Sequence, residues 1–126
     1  MSAQVEAVRW PGPGDAFDKN CPARAVLDHV TSKWAVLVLV ALSRNELRFS
    51  ALRREVGGVS EKMLAQTLRT LESDGFVNRV VAATAPPQVT YSLTELGRGL
   101  TEHLAGLIGW INDRVPEIVA RDRPGG

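Results

Sequence analysis

From Trp34 to Leu42 nine consecutive residues are apolar, and this run constrains the fold more than any other feature of the chain. Periodicity alone does not separate it from a buried strand. It is longer than most strands, and Thr31 and Ser32 offer capping oxygens just before it, so a helix is expected over 34–42. A helix without a polar side must be covered all round, which places it at the centre of a core. With 126 residues there is material for one domain around it, not two. The run is far shorter than the ~20 residues that cross a bilayer and lacks signal-peptide flanks, so a cytoplasmic protein with no membrane association is expected.

Around that centre the pattern resolves into short elements. Residues 1–20, with Trp10-Pro11-Gly12-Pro13-Gly14, keep no period and read as a flexible N-terminal arm; 21–120 read as one domain and 121–126 as a flexible tail. Pro22 suits the first turn of a helix, and Val26, Leu27 and Val30 follow at helical spacing. Phe49, Leu52 and Val56 define a short amphipathic helix with Arg53 and Arg54 outward, closed by Gly57 and Gly58. Ser60 caps the next helix, over 60–74, in which Leu64, Leu68 and Leu71 form one stripe; Gly75 ends it and Phe76 packs back on Leu71. Two strands, 77–82 and 88–93, form a hairpin with a proline-stiffened tip. Thr94 caps a long last helix whose Leu96, Leu100, Leu104, Leu107, Ile111 and Ile118 share a face widened by Ile108 and Trp110. Gly99, Gly106 and Gly109 would allow close approach to it, and Pro116 should kink or end it.

Helix, helix, short helix, tight turn, helix, hairpin, helix is the order of a winged helix-turn-helix, mainly α with a small β-hairpin wing. In that fold the helix after the turn enters the DNA major groove. With the leucine stripe buried, the opposite face of helix 60–74 carries Lys62, Gln66, Arg69 and Ser73. Arginine and lysine grip guanine O6 and N7, glutamine pairs with adenine N6 and N7, and Ser60 at the helix start can bond a phosphate. Arg48, Arg53 and Arg79 flank this face as candidate phosphate contacts. Between Arg44 and Ala82 seven basic residues stand against five acidic ones, and the whole chain carries a formal charge of +1. So little excess charge makes placement, and two half-sites acting together, the source of affinity. The apolar stripe of the last helix is too broad for one small core, so a homodimer is expected, with Leu100, Leu104, Leu107 and Ile111 at its interface and a palindromic double-stranded DNA operator as its partner.

Cys21-Pro22, Ser32-Lys33-Trp34, Arg48-Phe49-Ser50-Ala51-Leu52, Val59-Ser60-Glu61-Lys62-Met63-Leu64, Leu68-Arg69-Thr70-Leu71-Glu72-Ser73-Asp74-Gly75, Pro86-Pro87 and Tyr91-Ser92-Leu93-Thr94-Glu95-Leu96-Gly97 together resemble the HxlR-type bacterial transcriptional regulators. The resemblance runs from Cys21 to Trp110. It implies a dimer built from the first and last helices, DNA recognition through helix 60–74, and a sensor role for Cys21, which matches a cysteine that some members use to detect oxidants, electrophiles or quinones. Two departures stand out. Where typical wings carry Pro-Pro-Arg-Val-Glu-Tyr, this chain has Pro86-Pro87-Gln88-Val89-Thr90-Tyr91, so a basic phosphate contact is lost. The second cysteine of members that cross-link their subunits through two different cysteines is also missing.

Cys21 is the single cysteine, which excludes an intrachain disulfide and any multi-cysteine metal site. Its place before a helix, with Lys19 and Arg24 nearby, favours the thiolate; the alternative is a small apolar residue closing the helix start. Trp34, Tyr91 and Trp110 either line a pocket for a small-molecule effector or are plain packing. No cofactor or metal is expected, and no enzymatic role: Cys21 and His29 are separated by roughly 12 Å along a helix axis, and no triad or phosphate-binding glycine loop occurs. A regulator answering a non-covalent ligand, or a winged-helix adaptor that binds protein instead of DNA, are the competing functions.

Overall fold

A computed structural model describes residues 14–121. Its elements are α1 (Pro22–Val30), α2 (Lys33–Arg44), β1 (Leu47–Arg48), α3 (Phe49–Glu55), α4 (Glu61–Ser73), β2 (Val77–Ala82), β3 (Gln88–Leu93) and α5 (Glu95–Arg121). The expected apolar helix is α2, begun by Ser32, whose hydroxyl oxygen accepts the Ala35 N–H at 3.1 Å. Val38 and Leu39 in its middle are sealed from solvent, and α2 packs against α5, α4, β3 and α3. Among the described residues no single helix is long and apolar enough to cross a membrane.

The part of the expected arm at 1–13, and the tail beyond Arg121, lie outside the described residues. Residues 15–20 form turns, with Asp18 N–H on Asp15 O at 3.1 Å and Cys21 N–H on Asp18 O at 3.0 Å. Arg24 fastens them to α1 by donating from Nε to Ala16 O at 2.7 Å and from Nη2 to Phe17 O at 3.1 Å. Cys21 is the N-cap of α1; beneath these turns it is 7% exposed, and its Sγ accepts the Asp15 N–H at 3.3 Å.

α4 begins at Ser60, whose Oγ accepts the Met63 N–H at 3.0 Å, and rests on the core through Leu64, Leu68 and Leu71. It closes with the paired bonds of a Schellman turn, Phe76 N–H to Leu71 O at 2.9 Å and Gly75 N–H to Glu72 O at 3.0 Å, with Gly75 at a φ of 86°. Thr94 then joins this turn to the start of α5. Its Oγ1 donates to Gly75 O at 2.7 Å and accepts the Gly97 N–H at 2.9 Å, while its own N–H donates to Phe76 O at 3.0 Å.

The hairpin strands pair antiparallel from Val77 opposite Leu93 to Ala82 opposite Gln88. The sheet has a third strand that the sequence did not reveal. β1 pairs with β3, Leu47 opposite Tyr91 and Arg48 opposite Thr90, in the order β1-β3-β2. Two residues are too few to show the alternation by which strands are recognised.

Two expectations for the last helix change. Pro116 does not end it, and α5 continues to Arg121; this stretch is exposed, so water can take the carbonyl four residues back that proline leaves without a donor. Leu104 turns inward: at 8% exposure it belongs to the core of its own chain, and Leu100 packs beside it, whereas Leu107 and Ile111 face solvent. Within the single chain the close approach is at Gly97, while Gly99, Gly106 and Gly109, expected to admit a second subunit, have open space around them.

A Cβ on Gly97 would lie 2.1 Å from Phe76 O, a backbone atom held by Thr94 and unable to give way. Gly97→Ala is therefore expected to destabilise the fold by about 1–3 kcal/mol, read as a lower midpoint in urea or thermal unfolding. Gly57→Ala, where an added Cβ meets nothing within 4 Å, should leave the midpoint nearly unchanged.

Candidate nucleic-acid interface

The same leucines that seat α4 decide what it shows to solvent. With 64, 68 and 71 buried, the residues at 62, 66, 69 and 73 form an outer stripe, and Lys62, Gln66, Arg69 and Ser73 are all exposed. Neither Lys62 nor Arg69 has an ion-pair partner among the described residues. Among the described residues, both therefore keep their full donor capacity. Ser60 is exposed at the N-terminal end of the helix; its oxygen is engaged as the cap, and its O–H remains available as a donor.

The flanking arginines divide. Arg48 is exposed on β1 at the N-cap of α3, and Arg79 is exposed on β2 across from Tyr91. The two stand on the outer strands with β3 between them, Arg48 opposite Thr90 and Arg79 opposite Tyr91. Since consecutive residues of β3 point to opposite faces, the sheet places the two arginines on opposite faces and does not bring them together. Arg53 is engaged inside the protein: Nε donates to Val59 O at 3.4 Å, and Nη1 lies 3.4 Å from Glu61 Oε2, which ties α3 to the first turn of α4. Its side chain remains 47% exposed, and the guanidinium keeps further N–H donors for a phosphate. Arg44 is likewise paired, with Glu55 at 3.6 Å.

Sequence reasoning missed the pair at the other end of α4. His29 Nδ1 and Asp74 Oδ2 lie 2.7 Å apart, joining the last turn of α1 to the C-cap of α4. The two residues are 45 positions apart, so no local spacing signals them. An open cleft of about 220 Å³ separates the rest of α4 from α1 and the start of α2, with Asp28, His29 and Ser32 on one wall and Met63, Gln66 and Thr70 on the other. The aromatic trio has three different settings. Trp34 is half-buried with Lys33 Nζ 4.4 Å over its ring, Tyr91 sits against the core, and Trp110 stands 55% exposed on α5 beneath Arg114. No group of three potential metal ligands occurs among the described residues.

The HxlR-like helix-turn-helix family matches residues 29–118. The chain is 55% identical over 118 residues to the HTH-type transcriptional regulator YtfH of Escherichia coli (strain K12), covering 94% of each. Among solved structures, the transcriptional regulator ytfH from Salmonella typhimurium superposes with a TM-score of 0.81 at 54% identity, over 88% of this chain and all of that one. The redox regulator HypR in its oxidized form superposes with a TM-score of 0.68 at 35% identity, over 74% of this chain and 96% of that one. An outward polar stripe on the helix after a tight turn, a wing beside it and these similarities lead to one conclusion: the chain belongs to the HxlR-like helix-turn-helix family, and it is a transcriptional regulator with a winged helix-turn-helix DNA-binding domain.

Proposed function

We propose that the protein is a cytoplasmic homodimer that binds a palindromic duplex operator and represses transcription where that operator overlaps a promoter. α4 enters the major groove of each half-site, and the β2-β3 wing follows the adjoining backbone. The observation that carries this reading is the division of α4 into a sealed leucine stripe and an exposed stripe of Lys62, Gln66, Arg69 and Ser73. A protein-binding adaptor needs no such face, whereas the guanidinium and the amide on it match guanine and adenine edges. Arg48, Arg79 and the Ser60 hydroxyl serve the phosphates; Gln88 and Thr90 on the wing contribute neutral hydrogen bonds. The dimer forms along α5, whose Leu107, Trp110, Ile111, Val115 and Ile118 are exposed in the single chain.

Cys21 is the proposed sensor of oxidants or electrophiles. Its support is the similarity to regulators described as redox regulators and its position at the N-cap of α1. Burial under residues 15–20 means that those turns must open before the thiol reacts. With one cysteine per chain, the products are a mixed disulfide with a small thiol or a link between the two Cys21 residues of a dimer, the latter needing α-carbons within ~7 Å.

Selection from random duplexes by the purified protein should return a palindrome. Against that operator Arg69→Ala is expected to cost about 1–3 kcal/mol and Gln66→Ala to relax preference at one base position, read by titration at fixed salt. If both variants bind as wild type does, the assignment of α4 as the reading helix is wrong. Ile111→Glu should yield a monomer in sedimentation at micromolar concentration; an unchanged mass would place the interface elsewhere. Operator release by oxidant should vanish in Cys21→Ser, and a full oxidant response in that variant would remove Cys21 from the mechanism.

A further inference from the structure

α4 is seated on the core by one narrow face, Leu64, Leu68 and Leu71 with Thr67 buried beside them. A helix held along one narrow face resists lifting better than it resists tilting, and on the α1 side the open cleft leaves room for that motion. Bonds at its two ends therefore fix its attitude. At the N-terminal end the Arg53–Glu61 pair is long, at 3.4 Å, and its carboxylate is largely in water, so it holds weakly. At the C-terminal end Thr94 grips the backbone of the closing turn from the α5 side. On the α1 side, His29 holds Asp74.

That last bond is the tightest of the side-chain pairs between helices, at 2.7 Å, with Asp74 17% exposed. The carboxylate has no proton to give, so Nδ1–H of the imidazole donates to it, as a charge-assisted bond. Helix capping does not explain the choice of residue. A carboxylate at the C-terminal end of a helix lies at the unfavourable pole of the helix dipole, and Asp74 uses its side chain on α1, not on its own turn. The geometry is explained when the partner is the reason for the residue.

We propose that His29 is a positioning residue for DNA reading: its bond to Asp74 sets the tilt of α4 against α1, and with it the angle at which Lys62, Gln66 and Arg69 meet base edges. The inference rests on the reading of α4 as the recognition helix. Leverage makes the effect selective. α4 is roughly 20 Å long, so a tilt of about 5° moves one end relative to the other by between 1 and 2 Å. Base-edge hydrogen bonds fail over that distance, whereas attraction between flexible cations and phosphates does not. Loss of the bond thus lowers specific binding and spares non-specific binding.

The test uses the full-length chain, the selected operator and an unrelated duplex of equal length at one salt concentration, with thermal unfolding in parallel. His29→Ala and Asp74→Ala are each expected to lower the ratio of operator to unrelated-duplex affinity about tenfold, equivalent to ~1.4 kcal/mol. The double variant should be no worse than either single one, because both remove the same bond. His29→Asn, whose amide nitrogen falls near the place of Nδ1, should recover most of the ratio. An unchanged ratio in His29→Ala overturns the inference, as does a parallel fall of both affinities with the unfolding midpoint, which marks a merely structural bond. Arg69→Ala run alongside separates the two failures. If it alone lowers the ratio, only the positioning role is lost; if it too has no effect, the recognition-helix reading fails with it.

Discussion

Burial of α2 through Ala35, Val36, Val38, Leu39, Ala41 and Leu42 is the condition on which the other elements depend, while Trp34, Leu37 and Val40 form a side that the single chain covers only in part. Each of its sealed residues, Val38 and Leu39 foremost, contributes about 1.5–3 kcal/mol only while something covers it. Coverage comes from α3, α4, β3 and α5, so the elements proposed to face DNA and the helix that leaves the domain are fixed by the same packing. This is why α4 is amphipathic in so strict a form. Its inner stripe is shaped by α2, and its outer stripe is free of any packing requirement and open to base chemistry.

The second constraint is the junction at Gly75, Phe76, Thr94 and Gly97. Four residues meet there, Gly75 and Phe76 from the turn between α4 and β2, Thr94 from the step between β3 and α5, and Gly97 from α5, and each has a role that a different side chain would fail. Gly75 takes the left-handed turn, Phe76 closes the core, Thr94 bonds in both directions, and Gly97 lets α5 reach the Phe76 backbone. The consequence is mechanical. The end of the proposed reading helix is tied to the start of α5 on one side and, through His29, to α1 on the other, so a displacement of either helix reaches α4 without passing through the leucine core.

Much of this architecture was legible because it is local. Ser32, Ser60 and Thr94 act on groups three residues away, the leucine stripe repeats within one helix, and Gly75 declares its own turn, so spacing alone placed α2, α4 and the hairpin to within a residue or two. What was missed is non-local or negative. β1 is defined by its partner β3, the His29–Asp74 bond spans 45 residues, and the engagement of Arg53 by Glu61 depends on how two helices meet. Leu104 and Leu107 share one face of a sequence wheel, yet Leu104 is buried, Leu107 is exposed, and Ile108 is the residue of the next turn that still packs on the core. Where a core stops along a long helix is set by the size of the rest of the domain, which periodicity does not carry.

The nearly neutral charge and the bare outer half of α5 bear on each other. A chain at +1, with Arg44 and Arg53 already paired, brings few free cations to one half-site, and the salt-dependent part of its affinity scales with the phosphates it neutralises. Adding basic residues would raise attraction to any sequence equally. Doubling the half-sites raises affinity only where two of them lie at the right spacing, because the second contact becomes intramolecular. α5 supplies the means. At roughly 40 Å it is far longer than its own core requires, and its exposed Leu107, Trp110, Ile111, Val115 and Ile118 are costly in a monomer and useful in a symmetric pair. In a chain of net charge +1 acting as the proposed dimer, selectivity rests on how rigidly each α4 is held relative to α5, which makes the bonds at its ends as important as the residues on its face.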